Sequence, residues 1–207
     1  MGYDQKRFKP QPKPKIEAIK TKYKIKSDYI IFVGTLQPRK NLERLLEAFE
    51  LITRDQRPET SNLKLVIIGR KGWLYEPIYQ KVKDLGVQSK VVFTDYVPDS
   101  DLPPLISGAK AYVLPSLWEG FGIPVIEAQA CGVPVVVSST SSLPEVVGDS
   151  GVLIDPNSAD SIAKGIEKVI SDDKLAHTLI QKGFQNVKRF SWQKCASNTL
   201  KVLDELA

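Results

Sequence analysis

This 207-residue chain is poor in the residue types that build metal centres and redox pairs: it has two cysteines, one histidine and one methionine. Cys131 and Cys195 stand in unrelated surroundings without metal-ligand spacing, so they read as reduced packing thiols of a cytosolic protein. His177 is far in sequence from every strand end and reads as a surface or packing residue. No bound metal is expected from this inventory. No apolar run reaches the roughly 18–20 residues that cross a bilayer, and the N-terminus lacks the apolar core of a signal peptide. Gly-x-Gly-x-x-Gly and Gly-Lys-Ser/Thr are both missing. That argues against a nicotinamide-dependent oxidoreductase and against a Walker-type phosphate loop.

Charge is unevenly spread. Residues 1–27 carry nine Lys or Arg against two acids, a local +7, so the other 180 residues of this +5 chain sum to −2. The body of the protein therefore does not look like a nucleic-acid binder. Pro10, Pro12 and Pro14 oppose a regular helix and predict extended chain. Two readings of this basic stretch stand side by side: a solvated linker, or peripheral contact of residues 6–26 with anionic lipid at the inner membrane face.

From residue 28 onward, short β-branched runs alternate with amphipathic stretches. Strands are expected at 29–33, 63–68, 90–94, 111–114, 133–137 and 152–154. Leu42, Leu45, Leu46, Phe49 and Ile52 recur at helical spacing. Further helices are expected around 74–85, 101–108, 123–130, 142–147, 158–171, 173–189 and 192–206. This alternation predicts an α/β, Rossmann-like, doubly wound parallel sheet of about six strands in one domain, residues 28–207.

Ligands of such sheets bind outside the carboxyl ends of the strands, which singles out residues 34–41, 69–73 and 115–127. In the first segment, Arg39 and Lys40 stand at a helix start, where the helix's own partial positive charge disfavours them unless an anion is present. A solvated surface pair is the plainer alternative. In the third, Glu119 and Glu127 bracket Gly120-Phe121-Gly122, with Pro124 near the first helical turn. The glycines allow close backbone approach to a ligand, and the helix start suits a phosphate or a departing anion. Read singly, Glu127 is a first-turn acid and Glu119 a capping acid. Asp99-Ser100-Asp101 matches a metal-holding Asp-x-Asp, but it directly precedes a helix and is better read as an N-cap. Trp73 could cover a ligand or simply pack its loop.

The pair Glu119 and Glu127, with seven residues between them, resembles the Glu-x7-Glu motif of glycosyltransferase family 4, the retaining group 1 transferases. Residues 34–41 and 69–73, Asp95-Tyr96-Val97-Pro98, Ala130-Cys131-Gly132-Val133-Pro134 and Ser142-Leu143-Pro144-Glu145-Val146 extend the resemblance over 28–190. The resemblance implies the C-terminal half of a GT-B fold. It gives Glu127 the donor ribose hydroxyls, Glu119 the donor sugar and Lys40 the diphosphate, with Glu119 and Lys40 as the catalytic pair. The backbone of Gly120, Phe121, Gly122 and Ile123 would hold sugar or phosphate oxygens, and Tyr96 and Val97 would frame the base. Many members carry arginine where Thr35 stands; either Arg39 supplies that charge or the diphosphate is held with one cation fewer. The implied reaction moves a sugar from a nucleoside-diphosphate sugar to an acceptor hydroxyl with retention, without metal or other cofactor. Likeness to bacterial mannosyltransferases in residues 34–41 and 116–122 favours GDP-mannose and polysaccharide synthesis in the cytoplasm. An N-terminal domain, which residues 2–8 would follow, is expected to bind the acceptor glycan or lipid-linked sugar, leaving this piece alone inactive. The alternative is a noncatalytic sugar-nucleotide module acting with a partner chain.

Overall fold

The β-branched runs become six strands in a computed structural model that describes residues 1–54 and 60–206; positions 55–59 and 207 of the expected domain lie outside the described residues. The strands are β1 (Tyr29–Val33), β2 (Lys64–Ile68), β3 (Val91–Asp95), β4 (Ala111–Leu114), β5 (Val135–Ser138) and β6 (Gly151–Ile154). Every pairing is parallel, in the order β3-β2-β1-β4-β5-β6. β1, β4 and β5 are buried almost throughout, as strands covered on both faces must be.

The connecting helices are α1 (Lys13–Lys22), α2 (Leu42–Arg54), α3 (Glu76–Asp84), α4 (Leu102–Ser107) and α5 (Ile123–Ala130). They are followed by α6 (Leu143–Val147), α7 (Ala159–Ile170), α8 (Asp173–Asn186) and α9 (Trp192–Glu205). Right-handed crossovers put α2 and α3 on one face, where α7 returns to pack on α2, and α4, α5 and α6 on the other, joined by α1 and α8. Ser158, Asp172 and Ser191 each cap a helix, accepting the N–H of Ser161, Leu175 and Lys194 at 3.0–3.1 Å.

Two expectations fail near the N-terminus. Residues 13–22 are helical, not extended, because Pro14 falls in the first turn, where its missing N–H costs nothing and its fixed φ suits the helix. The helix lies on α4, and Phe8, Ile19 and Ile25 join the core, so this basic stretch is not merely solvated chain. Asp101 does not cap α4 with its side chain. Its carboxylate instead takes Lys22 Nζ at 2.6 Å and Tyr23 Oη at 2.7 Å, tying α1 to α4. At the other terminus α9 has no buried residue, and Trp192, Leu200, Val202, Leu203 and Leu206 are all exposed.

Candidate functional site

The strand order reverses between β1 and β4, so their loops diverge and open a crevice at the carboxyl edge of the sheet. After β1 the chain makes one 3-10 turn, Pro38–Lys40, and ends it on Asn41 at φ 59°. The Asn41 side-chain amide donates to the carbonyls of Pro115 (2.9 Å) and Pro156 (2.7 Å). Leu117 N–H donates to Arg39 O at 2.9 Å. These bonds staple the loop after β1 to the loop after β4.

The staple brings three charges together. Lys40 Nζ lies 2.5 Å from Glu119 Oε1, and Arg39 Nη1 lies 3.0 Å from Glu119 Oε2. Ser116 Oγ donates to Oε1 at 2.7 Å. Lys40 and Glu119 are each only 7% exposed. Burial alone would raise the Glu119 carboxyl, but hydrogen bonds from Lys40, Ser116 and Arg39 outweigh it and hold it below the ordinary carboxylate value. Lys40 is thus neither a solvated surface cation nor reserved for phosphate, and Glu119 caps no helix. With two cations against one carboxylate the cluster keeps a net +1, which favours an arriving anion.

The turn that follows is anchored from behind. Phe121 turns its ring edge-on to Phe190 at 5.5 Å between centroids, so its side chain is committed to packing. Gly122 precedes α5 with φ 95°, and a Cβ there would lie 2.8 Å from Leu143 Cδ2. Gly120 differs: a Cβ would meet nothing nearer than the Trp118 rim at 3.9 Å. Packing therefore demands glycine at 122 but not at 120. Glu127, the fifth residue of α5, is half-buried. Burial pushes its carboxyl up to about 7, with Arg7 pulling it down and Asp99 and Asp4 pushing it up.

Tyr96 stands in the loop after β3, 56% exposed, over buried Val97. The Arg70 guanidinium lies 4.6 Å from its ring centroid. Arg70 follows β2, one strand from β1, and Tyr96 follows β3, two strands from β1. Trp73 (61%) and Trp118 (62%) are exposed on the same edge, with Trp73 Nε1 bonded to Gln37 Oε1 at 3.1 Å. Thr35 is exposed, and Ile123 is half-buried at the start of α5. The expected residues other than Glu127, which lies within α5, fall into two groups on one edge: Thr35, Arg39, Lys40 and Glu119 to Ile123 at the strand reversal, and Tyr96 with Val97 two strands away. Sequence reasoning did not single out Arg70, Asn41, Ser116 or Ser141. The first three lie inside flagged segments, whereas nothing in the sequence marks Ser141. Among the described residues no group of three His, Cys, Asp or Glu side chains could hold a metal. A pocket of about 280 Å³ adjoins the 3-10 turn, sharing Gln37, Pro38, Asn41 and Leu117 with the candidate loops and reaching Arg44 and Lys81, but it is lined by neither Glu119 nor Glu127.

Comparison with known proteins bears on this edge. A family model described as glycosyl transferases group 1 matches residues 15–186. The O-antigen chain mannosyltransferase B of Escherichia coli is 37% identical over 172 residues, 83% of this chain but 44% of that protein. The chain therefore spans less than half the length of that curated relative. The C-terminal domain of a group 1 glycosyl transferase from Francisella tularensis superposes with a TM-score of 0.77 at 26% identity, covering 91% of this chain and 97% of that one. HepE of Anabaena, solved with UDP-glucose, has a TM-score of 0.85 at 22% identity, over 99% of this chain and 56% of its own; that likeness is one of fold.

Proposed function

The chain belongs to the group 1 glycosyl transferases, and from this premise we propose that it is the donor-binding half of a retaining transferase. The donor is a nucleoside-diphosphate sugar, GDP-mannose first among them, and the acceptor hydroxyl comes from a glycan or lipid-linked sugar held by a preceding domain.

One observation carries the reading: a buried carboxylate shared by two cations at the strand reversal, next to a glycine turn that opens a helix. Cleaving the anomeric bond leaves negative charge on the diphosphate. Lys40 and Arg39, the N–H groups of residues 120–123 and the positive end of α5 are aimed where that charge develops. Glu119 orients Lys40 and leaves the cluster one positive charge in surplus. The Arg70–Tyr96 pair stands further along the edge and suits a flat base; to Glu127, within α5, we give the ribose hydroxyls. Retention follows if the acceptor attacks from the face that the diphosphate leaves.

The mannose assignment rests on the named relative and on the likeness of residues 34–41 and 116–122 to mannosyltransferases. Calorimetric titration with GDP, UDP, ADP and GDP-mannose tests it. GDP should bind more tightly than UDP or ADP, and GDP-mannose at least as tightly as GDP. Tighter binding of UDP would overturn the choice of base, and binding of none would overturn the donor site.

A further inference from the structure

We propose that Ser141 and Ser142, in the loop between β5 and α6, are positioning residues that aim the Gly120 N–H at the sugar or phosphate oxygen of the donor; this rests on the donor-site reading above. Three hydrogen bonds join that loop to one residue. Glu119 N–H donates to Ser141 Oγ at 3.1 Å, and Ser141 Oγ donates back to Glu119 O at 2.5 Å. Ser142 Oγ donates to the same carbonyl at 3.0 Å. Thr140 Oγ1 adds a longer bond of 3.4 Å to Leu117 O.

The consequence follows from peptide geometry. The Glu119 carbonyl and the Gly120 N–H share one plane, and no peptide bond among the described residues is cis, so the two groups point in opposite directions. Two hydroxyls gripping the carbonyl from behind therefore turn the Gly120 N–H outward. The turn is uncrowded at this residue, since a Cβ at 120 would meet only the Trp118 rim within 4 Å. Within the described residues no protein acceptor takes the N–H of Gly120, Phe121 or Gly122. The next residue of the loop, Leu143, packs on Gly122, so one short segment fixes both ends of the turn.

Ser141 adopts φ 61°, a left-handed conformation uncommon outside glycine. A residue held there while its hydroxyl serves both backbone groups of Glu119 is the kind of strained position that a site retains for geometry. The grip also sets where the Glu119 carboxylate meets Lys40.

Ser141→Gly removes the hydroxyl while relieving the backbone, Ser142→Ala removes the second donor, and Ser142→Thr keeps a hydroxyl. Affinities for GDP-mannose and for guanosine should be measured on these variants and on the double variant Ser141→Gly/Ser142→Ala, together with amide exchange at Glu119. Each single loss should weaken GDP-mannose about five- to tenfold, the size of a hydrogen bond or two. Guanosine affinity should be unchanged, Glu119 exchange should rise in Ser141→Gly, and Ser142→Thr should bind like wild type. A double variant with wild-type affinity for GDP-mannose, or an equal loss for guanosine, would overturn the positioning role alone. A wild-type chain that binds neither GDP nor GDP-mannose would overturn the donor site and this role with it.

Discussion

Glu119 and Lys40 illustrate what a residue's partner decides. Removing the carboxylate leaves a buried ammonium unpaired, so Glu119→Ala should cost about 3–5 kcal/mol of stability, read as a lower urea midpoint. An exposed-pair cost below 1 kcal/mol would show that Lys40 reaches water instead. Glu127 behaves oppositely. Its carboxyl titrates at about 7 in the fold against an ordinary 4.5, so the folded chain holds a proton that the unfolded chain has released across that window. Stability should therefore fall as pH rises, by roughly 2–3 kcal/mol between pH 5 and 8. Glu127→Gln, which cannot ionise, should lack that slope; an unchanged slope would mean that the side chain is solvated. Both glutamates were legible from their spacing and the glycines between them. Their partners were not: Lys40 is 79 residues from Glu119, and sequence separation says nothing about which cation a loop will meet. Asp101 was misread for the same reason, because its proper acceptor role was visible locally while Lys22 and Tyr23 arrive from α1.

Elements were more legible than contacts. Strand and helix positions follow the apolar periodicity to within a residue or two, save that α8 ends at Asn186 and gives way to a 3-10 turn over Val187–Arg189, since burial on both faces or on one stripe dictates those patterns. The reversal between β1 and β4 was not legible, because strand order is set by crossovers that the apolar pattern does not encode. The error came at α1, where prolines were read as excluding a helix although Pro14 stands in the one turn that tolerates it. The turn into α5 offers a paired test. Gly122→Ala meets both a left-handed φ and Leu143, so it should destabilise by about 1 kcal/mol or more. Gly120→Ala, with open space around it, should change stability by less than about 0.5 kcal/mol yet weaken GDP-mannose by crowding the donor. Comparable melting losses for the two variants would contradict this division of roles.

On the proposed reading, the molecule as a whole supplies one wall of a cleft: its candidate donor groups lie along a single sheet edge, where Trp73 and Trp118 are exposed. α9 is uncovered as well. Holding an acceptor hydroxyl near the anomeric carbon can account for roughly 7–11 kcal/mol of a barrier. The chain alone should accordingly bind GDP-mannose but show negligible acceptor-dependent turnover, whereas a chain carrying the preceding domain should transfer; equal turnover by both would refute the one-wall reading. The most direct test of the central claim is titration of the ¹⁵N-labelled chain with GDP, following backbone amides. Saturable shifts should cluster at residues 34–41, 70, 96–97 and 119–127, and vanish with Lys40→Ala at the first group only. No saturable shift, or shifts confined to Arg44, Glu47, Ile78 and Lys81 beside the 3-10 turn, would contradict the donor site at the strand reversal.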